Sequence, residues 1–311
     1  MLKVYKTNTI DKNIKKIKRI STDCWIDLTT PTIDEIDKVV EKTEIDKELR
    51  MKMLDTEELP RIEQSGNATL VVIDTPYLEN QYEYTTYPLG IIITDNNYVI
   101  TISTKKVSIL DDFKQDKVKN FRTAKKTRFL IQIILRTASS YLRVLKKVND
   151  GIAKKEQVLK KQTQNKDLVD MLEIEKTLVY FITSLKANDL VLEKLSKGNI
   201  LPMYEGDLDL LEDAVNETKQ AIEMSGIYKD ILTSITNTYA TIVSNNLNIA
   251  MKFLAAATIV LSIPTMIASY LGMNIPLGSI SNNPNALIVV LILSFSLALL
   301  IAFILKKKDM F

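Results

Sequence analysis

From Phe253 to Leu305 the chain runs for 53 residues without an Asp, Glu, Lys or Arg. This block contains two apolar stretches, residues 251–273 and 286–305, on either side of a Pro-, Gly-, Ser- and Asn-rich segment at 274–285. The second stretch, ALIVVLILSFSLALLIAFIL, has 20 residues. At about 1.5 Å per residue it reaches across a hydrocarbon core of about 30 Å. A helical hairpin buried in a soluble core would normally carry charge in its loop, and this loop has none. The two stretches are therefore predicted to be membrane-spanning helices joined as a hairpin.

Charge then sets the topology. Residues 1–252 hold 38 Lys+Arg against 37 Asp+Glu, and the tail 306–311 holds three Lys and one Asp. With no charge in the connecting loop, the positive-inside rule puts both termini in the cytoplasm. The chain opens MLKVYKTNTIDKNIKKIKR, without an apolar signal segment. The large N-terminal part is therefore expected to be cytosolic and the protein to be multi-pass in the plasma membrane. The basic N-terminal run reads as a solvated surface near an anionic leaflet, with no nucleic-acid role.

Composition removes several chemistries. The chain has no histidine and one cysteine, Cys24. Ser-His and Cys-His catalysis, His-ligated metals and thiolate clusters are thereby excluded. Cys24, in the run Cys24-Trp25-Ile26, reads as a small buried hydrophobe. Any metal must be held through oxygen, which suits hard cations such as magnesium. No GxxxxGK[ST] phosphate loop or other nucleotide motif occurs. The chain is not expected to be an enzyme or to carry a prosthetic group.

The first hundred residues read as mixed α and β. Strand-like runs occur at Leu2 to Tyr5, Cys24 to Leu28, Ala68 to Asp74, Tyr84 to Thr94 and Tyr98 to Ser103. Pro31-Thr32 before IDEIDKVVEK marks a helix start, and Asp46 to Leu54 a second short helix. Consecutive strands late in this region favour α+β over a doubly wound sheet. From Thr123 to about Gln162 and from Leu168 to Leu195, apolar residues recur at helical spacing, predicting an antiparallel helix pair.

A third helical run follows Pro202 and Gly206. Ala221, Met224, Tyr228, Ile231, Ile235, Thr238 and Ile242 step by alternating threes and fours, a seam of the coiled-coil kind that calls for partner helices or for packing within one subunit. The same spacing carries on into the first span through Asn248, Met251, Ala255, Thr258, Ser262, Thr265 and Ser269. Small and hydroxylated residues on one face of a span either pack helices together or line a wet path. A seam that faces an axis outside the membrane should face it inside, so the stripe is read as pore-lining. No carboxylate lies on it, so its oxygens would contact the water shell of a hydrated cation, and magnesium gives up its waters reluctantly. With no nucleotide motif, the membrane potential is the driving force expected of such a channel.

The stripe ends in Tyr270-Leu271-Gly272-Met273-Asn274. A Gly-Met-Asn tripeptide closing the first of two C-terminal spans, after a long stalk and before a lysine-rich tail, resembles the CorA magnesium-transporter family. Trp25-Ile26-Asp27-Leu28 with Pro31-Thr32, Pro60-Arg61-Ile62-Glu63, and Lys176-Thr177-Leu178-Val179-Tyr180-Phe181 are similar to further family elements in the family's order. The resemblance implies a funnel-shaped homopentamer in the lipid bilayer: an α+β cytosolic domain, then long helices and a two-helix transmembrane hairpin. It implies that Gly272, Met273 and Asn274 form the external selectivity filter, with five Asn amide oxygens receiving the hydrated ion. Asn248 and Met251 would match the cytosolic constriction or gate, and Thr265 a pore-lining threonine. Asp213 would match one acid of an intracellular magnesium sensor, while Asn237 stands where a second acid is expected. The loop also lacks the external acids often found in the family, and Ser269 replaces a glycine of some relatives. The implied cargo is Mg2+, with Co2+ or Ni2+ as further ions. A zinc-transporting relative of the same fold, and a non-conducting membrane-anchored coiled-coil sensor or scaffold, are the alternatives.

On this reading the chain divides into a cytosolic α/β domain (1–122), a long-helix pair (123–205), a stalk helix (206–250), a pore helix (251–273), an external loop (274–285), a second span (286–305) and a basic cytoplasmic tail (306–311).

Overall fold

A computed structural model describes residues 1–8, 13–46, 55, 58–80, 83–161, 165–197, 200–273 and 284–308. They fall into two compact units, residues 1–235 and 236–311. The first is built on a seven-stranded sheet of β1 (Leu2–Thr7), β2 (Ile14–Ile17), β3 (Trp25–Thr29), β4 (Arg61–Ser65), β5 (Ala68–Leu78), β6 (Tyr84–Thr94) and β7 (Val99–Ser103). The order is β2-β1-β3-β7-β6-β5-β4. Only β3 and β7 pair in parallel, with Trp25 opposite Val99; every other pairing is antiparallel. This is the α+β arrangement expected from consecutive strands.

Strand alternation gives the sheet two covered faces. Val4, Ile26, Leu28, Leu70, Val72, Ile92 and Ile100 pack with Ile36, Val39 and Val40 of helix α1 (Ile33–Thr43). Helix α1 starts where Thr32 and Glu35 cap each other's backbone N–H in a capping box. On the opposite face Trp25, Val71, Ile73, Leu89, Ile91 and Val99 meet helices α2 (Ser108–Lys114), α3 (Lys126–Lys161) and α4 (Asn165–Lys197). Trp25 is fully buried, with the rings of Phe113, Phe121 and Phe129 edge-on at 6.4, 6.4 and 5.2 Å. Asp27, one pleat along, is also buried on this face. Its carboxylate accepts from Lys114 Nζ at 2.7 Å and from the hydroxyls of Thr29 and Thr101 at 3.2 and 3.3 Å. Each charge thus has its partner, which is what a buried ion pair requires. Cys24 is fully buried and its thiol pKa is raised by that burial, as expected of a core residue.

Helices α3 and α4 form the antiparallel pair. The rings of Tyr141 and Phe181 meet at 5.0 Å, and nearer the turn Lys155 pairs with Asp170. The pair is tied to the sheet by polar contacts. Thr177 Oγ1 accepts from the Tyr84 N–H at 3.1 Å and donates to the Tyr84 carbonyl at 3.0 Å. Ser184 Oγ donates to Asp74 Oδ2 at 2.6 Å. Helix α5 (Glu205–Leu271) then runs for 67 residues, about 100 Å. Within the first unit its buried face is Leu211, Ala214, Thr218, Ala221 and Ser225, again in threes and fours.

Several elements differ from expectation. Strands β2 (IKKI) and β4 (RIEQS) and helix α2 have no counterpart in the sequence reading. Both strands are edges of the sheet, where charged residues block further pairing and hide the apolar alternation by which a strand is read. Helix α3 begins at Lys126 instead of Thr123, and α4 extends the expected Leu168–Leu195 to Asn165–Lys197. The helix expected at Asp46 to Leu54 lies outside the described residues apart from Asp46. Ala221, read as the start of a partner-facing seam, is fully buried inside its own chain, whereas Ile231 and Ile242 farther along are each 43% exposed.

Candidate ion pathway

The second unit consists of the C-terminal part of α5 and helix α6 (Ala286–Lys307). Both are long and apolar enough to cross a bilayer. Ala256 and Ile263 on α5 and Ser294 and Ala298 on α6 are buried, and they mark the faces on which these helices are covered. Small residues at such a contact let backbones approach closely. Phe253, Leu254 and Ile259 on α5, with Leu287, Ile292 and Phe303 on α6, are exposed, as lipid-facing side chains are.

Every residue of the predicted stripe is on α5 and exposed: Asn248, Met251, Ala255, Thr258, Ser262, Thr265 and Ser269. Thr258, Ser262, Thr265 and Ser269 are brought together with Leu261, Met266, Tyr270 and Met273 along one groove of about 780 Å³, formed by α5 and the residues just after it. Asn248, Met251 and Ala255 lie on the same helix before that groove. Sequence reasoning missed Leu261, Met266 and Tyr270 as groove residues because they look like lipid-facing positions; their offset from the hydroxyl row by one residue is the signal that could have found them.

The hydroxyls are oriented by their own helix. Thr258 Oγ1 donates to the Leu254 carbonyl at 2.8 Å, Ser262 Oγ to the Ile259 carbonyl at 2.8 Å and Thr265 Oγ1 to the Leu261 carbonyl at 3.1 Å. Each hydroxyl hydrogen is engaged, so what remains toward the groove is an oxygen lone pair. Lone pairs accept the outward-pointing hydrogens of the water around a cation. Ser294 and Ser296 on α6 also bond back to their own helix, so this bonding is a general way to solvate a hydroxyl in lipid. What sets α5 apart is that three such residues, with Ser269 beyond them, fall in one row on one uncovered groove.

At the end of α5 the Gly272 N–H donates to the Ala268 carbonyl at 2.9 Å and the Met273 N–H to the Tyr270 carbonyl at 3.4 Å. A Cβ on Gly272 would lie 3.3 Å from the Ala268 oxygen, so glycine lets the helix end close tightly there. Asn274, the third filter residue of the sequence reading, lies outside the described residues, as does loop 275–283. Asp213 is exposed on α5, and no group of three or more acidic, Cys or His side chains suited to a metal occurs among the described residues.

A large α+β domain, a helix that continues from it as an apolar span, and a second apolar span at the C-terminus define a membrane protein with its soluble domain placed before both spans. The chain belongs to the CorA-like Mg2+ transporter protein family, whose sequence profile matches residues 22–307. It is 29% identical over 293 residues to the cobalt/magnesium transport protein CorA of Methanocaldococcus jannaschii, covering 91% of this chain and 90% of that one. The cobalt/magnesium transport protein CorA of Thermotoga maritima is 22% identical over 276 residues, covering 87% and 78%. The complete structure of the CorA magnesium transporter from Methanocaldococcus jannaschii matches with a TM-score of 0.87 at 26% identity, over 98% of this chain and 96% of that one.

The other motifs that carried the family resemblance serve the fold. Trp25 and Asp27 are core, Thr32 caps α1, and Arg61 pairs with Glu58 and Glu63. Thr177 and Phe181 fasten α4 to the sheet and to α3.

Proposed function

We propose that the protein is a homopentameric channel of the plasma membrane that admits hydrated Mg2+, and with it Co2+ or Ni2+, into the cytoplasm. The observation that carries this reading is the exposed row of hydroxyls on α5, oriented with lone pairs outward, running up to Gly272-Met273-Asn274. Five copies around an axis would turn the row into rings of acceptors. Asn274 recognises the ion, Gly272 and Met273 complete the filter, and the stripe from Asn248 to Ser269 conducts, with the Asn248 and Met251 rings as the gate. Asp213 is assigned the regulatory Mg2+ contact. The basic tail keeps both termini in the cytoplasm.

A cation that keeps its water needs no charged ligand along the path, and the uncharged span fits that requirement. Inward movement of a doubly charged ion gains about 4.6 kcal/mol per 100 mV of inside-negative potential, so no nucleotide is needed. The zinc-transporting and non-conducting alternatives make different demands. A dedicated zinc route would favour softer nitrogen and sulfur ligands, absent from the stripe. In a scaffold the stripe would be covered by packing and would tolerate loss of the Asn274 amide. Asn274→Ala is expected to abolish magnesium-dependent growth rescue of a transport-deficient cell while the assembled protein persists in the membrane. Full rescue by this variant would remove the filter assignment.

A further inference from the structure

A cavity of about 520 Å³ opens in the first unit where α3 and α5 begin. Lys125, Lys126, Thr127 and Arg128 line it from the start of α3, and Tyr204 and Asp207 from the start of α5. Three cations therefore face one carboxylate. That carboxylate is already engaged: Arg128 Nη1 donates to Asp207 Oδ1 at 3.1 Å, and the Tyr204 N–H donates to Oδ2 at 3.2 Å. Lys126 Nζ gives one hydrogen to the Thr94 carbonyl at 2.8 Å, leaving two. Lys125 is exposed and its ammonium has no ion pair among the described residues.

Three observations indicate a missing acceptor. Thr127 is only 7% exposed and lines the cavity, yet its hydroxyl has no hydrogen-bond partner among the described residues. That hydroxyl is therefore free to bond a group that enters the cavity. The Arg128 Nε–H is buried without an acceptor among the described residues. Helix α3, 36 residues long, has no acidic residue in its first turn, so the positive end of its dipole is uncompensated at the cavity.

We propose that this cavity binds the phosphate group of a small phosphorylated molecule. A phosphate supplies several acceptor oxygens and a double negative charge, matching a hydroxyl, a helix end and two lysines left unneutralised by Asp207. The cavity exceeds the volume of a phosphate alone, and Tyr204, 79% exposed at its edge, offers a ring for an attached base to stack on. The site is independent of the ion-pathway reading, since it needs neither transport nor a bound metal.

The test is calorimetric titration of the full-length protein in detergent with inorganic phosphate and, separately, with ATP, at low salt with magnesium chelated. Saturable binding is expected, weakened about tenfold by Thr127→Val through loss of a hydrogen bond to a charged group. Lys125→Gln, at an exposed position that the fold tolerates, should also weaken it and reduce its salt dependence. ATP binding tighter than phosphate, with Tyr204→Ala affecting ATP alone, identifies a nucleotide-type ligand. Equal binding of the two, insensitive to Tyr204→Ala, identifies free phosphate at the same site. Absence of saturable binding of either anion, or wild-type binding by both Thr127→Val and Lys125→Gln, overturns the proposal.

Discussion

Asp74 has a different role from the buried carboxylate at Asp27. Asp27 has a lysine beside it, whereas among the described residues the side chain of Asp74 has only the Ser184 hydroxyl, whose oxygen also lies 2.9 Å from Thr86 Oγ1. Around it Tyr141 donates to the Asp74 carbonyl, and Asn188 bonds the same residue's backbone on both sides. Burial raises the Asp74 carboxyl above the usual aspartate range, and the Ser184 hydrogen bond opposes only part of that. The folded protein therefore holds this proton more tightly than the unfolded chain. Stability from this group is fully present below about pH 4 and is lost as pH rises through the raised folded value. Asp74→Asn, which keeps an acceptor for Ser184, should raise the unfolding temperature by about 2 °C at pH 8 and give no gain at pH 4. An equal shift at both pH values would show that the carboxyl's charge is not the cause.

At the scale of elements, legibility followed the strength of the periodic pattern. The hydroxyl row Thr258, Ser262, Thr265 and Ser269 was readable because nothing charged interrupts an apolar span. The groove partners Leu261, Met266 and Tyr270 were not, since their side chains fit lipid as well as a pore mouth. Strands β2 and β4 were hidden by the lysines and carboxylates that protect sheet edges. Helix α5 passes through Pro264, inside the predicted pore helix, although a proline there removes one backbone hydrogen bond. Two seams share α5. The one through Leu211, Ala214 and Ala221 is buried within the chain, while Ile231 and Ile242 are each 43% exposed, where the proposed homopentamer would place another copy. Ile231→Asp is expected to shift the detergent-purified protein from the proposed pentamer toward monomer in mass-resolved chromatography, since each copy would forfeit about 2 kcal/mol of side-chain burial and gain repelling charges. A pentamer as stable as the parent would move the subunit contact elsewhere on the helix.

The whole molecule combines a charged soluble unit with a span that has no charge at all, and this contrast is the physical core of the proposed transport. In that proposal, ions are drawn by the membrane potential through acceptor oxygens that never replace their water. The account is most directly tested by Mg2+ influx into proteoliposomes under an imposed potassium diffusion potential, without nucleotide. It predicts influx that rises as the interior is made more negative, persists with Co2+ or Ni2+ as the ion, and is lost in Asn274→Ala. Intact protein that passes no Mg2+ at any voltage would contradict it.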